Sequence, residues 1–228
     1  MGALIVAALQ PGYLPWLGYF DLMKRADLFI VEDSLQYTKQ DWRNRNRIRT
    51  AAGAEYLTVP VQKGATGRTI REVCIDNGQP WGRRQWNLLR ANYAKAPYWE
   101  TYAAFIEETL KWPWELLLDL DLHLADFLAG EFEISTPTKL LSDVDVTFGS
   151  DKTQSLIDLT QAVGASAFIE GASGKSFIEC DRFAAAGLEI QFQDYVCRAY
   201  PQQYKPFVSH LSALDLLLNV GPAGAALI

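Results

Sequence analysis

Polar, aromatic and turn-forming residues are mixed between positions 10 and 20, directly after an apolar run. Proline and glycine prevent a regular helix or strand there, so several backbone N–H groups lack a local acceptor and could bind an anionic ligand. The side chains predicted to line such a binding turn are Gln10, Tyr13, Trp16 and Tyr19. The alternative is a rigid connection whose aromatic side chains pack into the core.

Two acidic residues, Glu32 and Asp33, follow directly after the apolar run Leu28–Val31. A carboxylate in this position can act as a general base if it lies within about 3 Å of the proton that it removes, or it can bind a substrate hydroxyl group. We therefore predict that the catalytic group is Glu32 or Asp33.

Arginine occupies every second position between residues 43 and 49. In an extended chain these side chains share one face and the intervening residues share the other. The guanidinium fork matches the geometry of phosphate and carboxylate, so Arg45 and Arg47 are predicted phosphate ligands. Asn44 and Asn46 are predicted to orient other polar groups of the substrate. The alternative is a solvated edge strand that its charges protect from aggregation.

A lysine and a glycine-rich turn are further candidates for anion binding. Lys63 follows the predicted strand Ala54–Val61 and could add a positive charge. The segment Gly171–Ser176 contains Gly-Lys-Ser between a predicted strand and a predicted helix, but a P-loop requires glycine where this chain has Ile169. The remaining prediction is a phosphate site on the backbone N–H groups of this turn, formed by Gly171, Ser173, Gly174 and Lys175. A plain connection between strand and helix is the alternative.

The cysteine and histidine residues do not indicate a metal site, and the sequence identifies no cofactor. Cys74, Cys180 and Cys197 are odd in number, far apart and without CxxC spacing, which argues against a disulfide framework and a structural zinc site. These cysteines fit a reducing cytoplasm. His210 could act as a general base, but the sequence shows no partner beside it, so a structural role is the alternative.

Short strands that alternate with helices must position these groups. Apolar runs predict strands over residues 4–9, 28–31, 69–75, 167–170 and 189–192. Helical spacing predicts helices over residues 19–25, 153–163, 176–186 and 209–219, and about three more between residues 81 and 130. The last helix is expected to expose Ser212 and Asp215. This order favours an α/β fold with a parallel sheet, in which ligands bind beyond the carboxyl ends of the strands.

Length and composition limit the class of protein. A chain of 228 residues, of which 49% are hydrophobic, can bury a substantial core. We predict an α/β core with a helical segment (81–130) in residues 1–130, and a smaller C-terminal α/β portion in residues 131–228, packed into the same unit. No apolar run reaches the roughly 20 residues that span a bilayer, so a cytoplasmic protein without membrane insertion is expected. The net charge of −6 disfavours duplex nucleic acid as a partner.

The segments Gln10–Phe20 and Trp42–Ile48 resemble the WbqC-like family of bacterial proteins, whose members share the patterns Q-P-x-Y-L-P-W-x-G-Y-F and W-x-N-R-N-R-I. Further similar pieces are Gly171–Lys175, Gln191–Tyr195, Tyr200 with Gln203, and Leu211–Asp215, so the resemblance covers nearly the whole chain. It implies a role in the biosynthesis of O-antigen or another surface polysaccharide. It also adds Gln203 to the predicted substrate-binding residues.

A more distant resemblance links the first strand, the turn and residues 16–19 to the HxGH region of nucleotidylyltransferases, which holds a nucleoside triphosphate at a helix N-terminus. It implies a nucleotidylyltransferase-like parallel-sheet core with a helical insertion. Trp16 and Tyr19 replace the histidines that stabilise the charge developing on the phosphates. This departure argues against adenylyl or cytidylyl transfer but leaves a nucleotide-shaped pocket.

The leading hypothesis is a transferase that binds a phosphate-bearing activated substrate, such as a nucleotide sugar. One alternative is a non-catalytic binding or assembly subunit with a degenerate nucleotide-binding core and with protein partners in glycan assembly. A third hypothesis is the transfer of an aminoacyl or acyl group to an amino sugar.

Overall fold

Five short segments within residues 4–228, the part of the chain that this computed structural model describes, pair in parallel to form one sheet. Numbered in chain order, they are β1 (Ile5–Leu9), β2 (Leu28–Val31), β5 (Thr138–Leu140), β6 (Ala167–Glu170) and β7 (Glu189–Phe192). Most side chains of β1, β2 and β6 are buried, as expected for strands that are covered on both faces. The predicted α/β class with a parallel sheet is confirmed.

β1 is the central strand of this sheet. It pairs with β2 on one side, where Val6 lies opposite Leu28, and with β6 on the other, where Ile5 lies opposite Ala167. The sheet order is β5-β2-β1-β6-β7, so the chain moves outward from β1 to β5 and then crosses to β6 and β7. In chain order this is the 3-2-1-4-5 arrangement of doubly wound sheets, whose winding direction reverses between β1 and β6. The carboxyl ends of these two strands are where such sheets bind ligands.

Helices connect the strands of the sheet: α1 (Leu17–Arg25), α5 (Lys152–Ala162) and α6 (Cys180–Ala185). The bounds of α1 and α5 agree with the predicted helices to within two residues. In contrast, α6 is much shorter than the helix predicted over residues 176–186. A short 3₁₀ helix, Ala172–Ser176, ends where the α-helix was predicted to begin. The α-helical conformation begins only at Cys180.

An antiparallel hairpin and a set of helices form most of the remaining regular structure. They are β3 (Arg45–Thr50), β4 (Gly53–Thr58), α2 (Trp81–Tyr93), α3 (Trp99–Lys111), α4 (Leu117–Glu131) and α7 (Ala213–Val220). The helices predicted between residues 81 and 130 are confirmed. Across residues 4–228, no helix combines the length and the apolar character needed to cross a bilayer.

The strand predicted over residues 69–75 is wrong. Ile70–Glu72 forms a 3₁₀ turn, in which the Glu72 carboxylate accepts hydrogen bonds from the Thr69 N–H at 3.0 Å and from the Thr69 hydroxyl at 2.6 Å. Such a capping box satisfies polar groups locally and therefore competes with pairing to another strand.

Contacts between residues group the chain into two compact units. The sheet unit comprises residues 4–10, Gly18–Ser34 and Ser135–Val196, and the helical unit comprises Pro11–Leu17, Leu35–Ile134 and Cys197–Ile228. Each unit is assembled from stretches that are far apart in the sequence. The predicted division of the chain into residues 1–130 and 131–228 differs from this grouping and stays a prediction.

The core of the helical unit contains a buried polar network. Asp215 is fully buried and accepts hydrogen bonds from Tyr93, Tyr200 and Gln202 at 2.5, 2.8 and 2.8 Å. Ser212 is also fully buried. The predicted exposure of Ser212 and Asp215 is therefore wrong. The Asp215 carboxylate accepts hydrogen bonds from side chains that pack around it.

Candidate functional site

The carboxyl edge of the parallel sheet brings together most of the predicted site residues of the sheet unit. Gln10 follows β1, Glu32 and Asp33 follow β2, and the turn Gly171–Lys175 follows β6. Because β1 lies between β2 and β6, the acidic pair and the turn follow the two strands on either side of Gln10. Polar groups from distant parts of the sequence thus meet where a doubly wound sheet binds its ligands.

Gln10 offers a buried acceptor at the centre of this edge. The Glu32 N–H donates to the Leu9 carbonyl at 2.9 Å, which keeps the residues after β1 and β2 side by side. The Oε1 atom of Gln10 is buried and accepts no hydrogen bond from residues 4–228. An unsatisfied buried acceptor costs on the order of 1–3 kcal/mol, so a ligand hydroxyl or amine that donates to this oxygen would remove a penalty.

The two predicted catalytic acids have different surroundings. Asp33 is fully buried, and its carboxylate accepts hydrogen bonds from the Ser142 N–H at 2.9 Å and from the Ser142 hydroxyl at 2.7 Å. This carboxylate therefore ties the end of β2 to the segment after β5. Glu32 is half-buried and retains more access to solvent.

Glu170, the last residue of β6, is a candidate site residue that was not predicted from the sequence. Its half-buried carboxyl group lies at the carboxyl edge of the sheet, where burial raises its pKa to about 7 although the Gly171 N–H donates to it. Its side chain also packs over Gly174, because a Cβ built on Gly174 would lie 2.2 Å from Glu170 Cγ. The available signal was an acidic residue that ends an apolar strand directly before a glycine turn.

The turn after β6 uses part of its hydrogen-bonding capacity internally. The Gly171 N–H donates to the Glu170 carboxylate, and the Gly174 N–H donates to the Gly171 carbonyl at 2.9 Å. The Ser173 carbonyl accepts from the Ser176 hydroxyl at 2.8 Å. Lys175 is exposed, with its ammonium 5.9 Å from the centre of the Phe192 ring. Lys175 is therefore the positive charge that this turn presents to solvent.

Tyr19 belongs to the aromatic packing of the sheet unit. It is buried, and its ring contacts Phe29 and Phe20 edge-on at centroid distances of 5.0 and 5.3 Å. These contacts place the ring in the core, so its predicted role in binding would depend on its hydroxyl group.

The helical unit holds the remaining predicted site residues, and it brings Trp16 and Arg47 to one place. The Trp16 ring stacks on His210 at 5.4 Å and 24°. Arg47 donates to the His210 carbonyl at 3.0 Å, and its guanidinium lies 5.7 Å from the centre of the Trp42 ring. His210 has a positive φ of 57°, which is unusual for a residue with a side chain. Arg47 and His210 thus form a contact that the sequence analysis did not foresee.

The arginine residues of β3 are engaged by the protein itself. Arg45 donates to the Gln40 carbonyl and lies 4.7 Å from the centre of the Tyr56 ring. Arg49 is fully buried and donates to the Pro206 carbonyl at 3.0 Å. The Nε atoms of Arg45, Arg47 and Arg49 are buried, and within the described chain none has an acceptor.

Asn44 and Asn46 stabilise backbone segments around the hairpin. Asn44 donates to the Val59 carbonyl at 2.8 Å, and Asn46 donates to the Leu14 carbonyl at 2.7 Å. The Arg47 N–H donates to the Asn46 side-chain oxygen at 2.8 Å. The predicted alternation is visible here, since Asn44 and Asn46 are buried while Arg45 and Arg47 are half-buried.

Tyr13, Lys63 and Gln203 lie in three different settings within the helical unit. Tyr13 is fully buried and its hydroxyl donates to Gln85 at 2.6 Å, and burial raises its pKa. Lys63 is exposed in the turn that follows Val61. Gln203 donates to the Asn219 side chain at 3.2 Å. Gln85, the residue that positions the Tyr13 hydroxyl, is 72 residues away in the sequence.

Asp121 is a buried acid on α4 that the sequence analysis also missed. Only 1% of its surface is exposed, and neither carboxylate oxygen accepts a hydrogen bond from residues 4–228. Burial raises the pKa of Asp121 well above its usual range, against the opposing effect of the positive charge on Arg43. Burial therefore favours the neutral form of this carboxyl group. Because leucines surround Asp121 in the sequence, the pattern indicates only an apolar helix and does not single out this acid.

The described residues contain no group of three or more His, Cys, Asp or Glu side chains arranged to hold a metal ion. The candidate residues described above could take part in proton transfer, through the Glu170 carboxyl group with its pKa raised to about 7, in hydrogen bonding and in anion binding.

Comparison with known proteins places these features in a family. The model of the WbqC-like protein family matches residues 10–226. The uncharacterized protein Rv1507c of Mycobacterium tuberculosis is 37% identical over 219 residues, which cover 95% of this chain and 94% of that protein. No solved structure matches the chain significantly. The family match spans both compact units, and the chain belongs to the WbqC-like protein family.

Proposed function

We propose that this protein is a cytoplasmic group-transfer enzyme of bacterial surface-polysaccharide biosynthesis that acts on a phosphate-bearing activated substrate, such as a nucleotide sugar. The observation that carries the proposal is Glu170. Its carboxyl group lies at the carboxyl edge of the sheet, beside the reversal of strand order, with a pKa raised to about 7. The biological setting is supported by the family resemblance.

A carboxyl group that titrates near neutral pH suits general acid–base catalysis, because it can accept and release a proton at the working pH. In the proposed reaction, Glu170 accepts the proton from the attacking hydroxyl or amino group of the acceptor. That acceptor atom forms a bond to the transferred group. The bond from the transferred group to the phosphate oxygen breaks, and the phosphate leaves with the electron pair.

Neighbouring groups of the sheet unit would bind the reactants. Lys175 is five residues from Glu170 in the chain and supplies a positive charge for a phosphate. Gln10 supplies its unsatisfied buried oxygen to a hydroxyl or amine. Of the two acids after β2, the half-buried Glu32 is the better candidate for contact with substrate, because Asp33 is fully buried.

The helical unit carries its own candidate ligands for an anion. Arg45 and Arg47 have buried Nε–H groups that receive no acceptor from residues 4–228, and an anion that accepted from them would remove a desolvation cost. Exposed Lys63 adds a positive charge. These residues are proposed as phosphate ligands independently of the sheet edge.

A thermal-shift screen followed by a turnover assay tests the proposal. The purified protein is screened against nucleotide sugars and coenzyme A thioesters, since a ligand at 100 times its Kd should stabilise the fold by about 2.7 kcal/mol. Release of the nucleotide or thiol from each ligand that stabilises is then measured by chromatography. Glu170→Gln should retain binding and lose most turnover, by a factor of about 10² to 10⁴.

Glu189→Gln is the matched control, because Glu189 is an exposed glutamate at the opposite, amino end of the neighbouring strand β7. It should retain both binding and turnover. Undiminished turnover by Glu170→Gln contradicts the assignment of the base. Binding without turnover by the wild-type protein favours the alternative of a non-catalytic subunit, and turnover of a thioester favours acyl transfer.

A further inference from the structure

An open cleft of about 490 Å³ lies in the helical unit, away from every residue assigned above. Its sides are formed by α2, by the C-terminal part of α3 and by the loops Asn77–Pro80 and Trp112–Pro113. A volume of this size lies within the range of roughly 300–1,000 Å³ that is typical of small-molecule sites.

The floor of the cleft is a close contact between Gly82 of α2 and Leu110 of α3, which both line it. A Cβ built on Gly82 of α2 would lie 1.9 Å from the Leu110 carbonyl of α3, so only glycine permits this approach. Trp81 is buried beside Gly82, and its indole N–H donates to Asn77 at 3.1 Å. Asn77 in turn donates to the Trp114 carbonyl at 2.7 Å. These contacts hold the floor and one wall in place before any ligand arrives.

Indole rings supply the apolar surface of the cleft. Trp86 is half-buried and stacks on Trp99 at 5.3 Å and 25°, which fixes the ring from behind. Trp112 is 63% exposed, more than any other Trp, Tyr or Phe side chain of residues 4–228. An indole that is left so open at the mouth of a pre-formed cleft indicates a surface that binds a partner.

Polar groups surround these indoles, and their charges nearly cancel. Lys111 and Glu107 form a salt bridge of 2.7 Å within α3. Asn87 and Gln79 add exposed amides, each of which can both donate and accept hydrogen bonds. Arg83 is the remaining charged group of the lining. The ligand is therefore expected to be neutral or singly anionic, and rich in groups that both donate and accept.

From this chemistry we infer that the cleft between Trp86 and Trp112 binds a pyranose unit of a glycan. The apolar C–H face of a pyranose packs on an indole, and its hydroxyl groups pair with amides and with a carboxylate–ammonium pair. A nucleotide would require more unpaired positive charge than Arg83 provides, and a purely apolar ligand would not use the hydrogen-bonding groups of the exposed amides. The inference concerns binding alone and does not depend on the proposed transfer reaction.

Saturation-transfer NMR on the purified 228-residue protein tests this inference. The probes are maltotriose, chitotriose and methyl glucopyranoside at millimolar concentration, with adenosine and uridine as competing aromatic ligands. Saturation is expected on the ring protons of at least one sugar, together with a change in tryptophan fluorescence. Trp112→Ala should weaken that binding about tenfold, and Trp112→Phe should restore part of it.

Trp42→Ala is the control, because Trp42 is an exposed tryptophan of the helical unit that does not line the cleft. It should leave the affinity for the sugar unchanged. Equal saturation in the wild-type and Trp112→Ala proteins, or no transfer to any sugar of the panel, overturns the inference. Transfer to the nucleosides alone also overturns it, and loss of that transfer in Trp112→Ala would identify the cleft as a base-stacking surface. If Trp112→Ala loses glycan binding but keeps normal turnover, binding in the cleft is separate from the proposed reaction at Glu170.

Discussion

Tyr93 and Asp215 join helices α2 and α7 through a hydrogen bond of 2.5 Å between the Tyr93 hydroxyl and Asp215 Oδ1. The same hydroxyl accepts a hydrogen bond from the Arg49 N–H at 2.8 Å, which links the hairpin to both helices. Burial raises the pKa of Asp215, and the hydrogen bonds from Tyr93, Tyr200 and Gln202 oppose that rise. This aspartate therefore organises the core of the helical unit.

Asp215→Asn should lower the free energy of unfolding by about 2–3 kcal/mol. The amide keeps one acceptor oxygen but turns an N–H₂ group toward donors that previously shared the second oxygen, so at least one buried donor loses its acceptor. Urea unfolding followed by far-UV circular dichroism measures the change. Glu55→Gln, which alters an exposed carboxylate of β4, should change stability by less than about 0.5 kcal/mol. Equal stability of the two variants would show that the network is energetically unimportant.

Gly174→Ala should destabilise the sheet unit and displace Glu170. The added methyl group would lie 2.2 Å from Glu170 Cγ and 3.0 Å from an Ile178 methyl group, so the glutamate side chain must move. Overpacking of this kind costs about 1–3 kcal/mol, which a thermal or urea unfolding curve detects. Gly149→Ala is the control, because within the described chain a Cβ there meets no atom closer than 4 Å. A Gly174→Ala protein with wild-type stability and turnover would contradict the proposed packing of Glu170.

Asp121→Asn should become progressively more stable than the wild-type protein as pH rises from about 4. The folded-state pKa of Asp121 is raised, so the folded protein keeps a proton that the unfolded chain releases. The wild-type protein therefore loses stability as pH rises from the unfolded-state pKa toward the raised folded-state pKa, at up to about 1.4 kcal/mol per pH unit. The variant has no carboxyl group at this position and escapes that loss.

Urea unfolding at pH 5, 6 and 7 measures this difference. Asp119→Asn, on the exposed face of the same helix, is the control and should follow the wild-type curve. If the curves of Asp121→Asn and wild type stay parallel over this range, the carboxyl group is not held neutral in the folded protein.

The activity should depend on the ionisation of Glu170. Because burial raises its pKa to about 7, the fraction of carboxylate that can accept a proton falls as pH decreases through 7. We expect kcat/KM to decrease about tenfold per pH unit below that value, and Glu170→Gln should remove this acidic limb. Measurement of kcat/KM between pH 5 and 9 for both proteins tests the assignment. A limb that persists unchanged in Glu170→Gln must come from another group.

The same shift predicts an effect on stability. The folded-state pKa of Glu170 exceeds its unfolded value, so its contribution is fully present below the unfolded-state pKa and is lost as pH rises toward 7. Glu170→Gln should therefore gain stability relative to wild type between about pH 4.5 and 7. Unfolding curves at the ends of this interval provide a test that needs no substrate.

Local pattern was sufficient to predict many individual elements. The apolar runs at residues 28–31, 167–170 and 189–192 are strands with the predicted bounds, because short apolar segments between turn residues have few other stable conformations. The helices between residues 81 and 130 follow from spacings of three and four residues. The edge at which Gln10, Glu32 and Asp33 meet follows from parallel pairing, because all carboxyl ends then lie together.

The sequence by itself therefore determined the α/β class, most strands and helices, and the N-terminal motifs that mark the family. Only the tertiary structure decided the strand order, the burial of Asp121 and Asp215, the near-neutral pKa of Glu170 and the cleft beside Gly82. The reason is physical. Helical and strand periodicity is encoded over neighbouring residues, whereas desolvation and hydrogen bonding depend on which distant segments pack around a side chain.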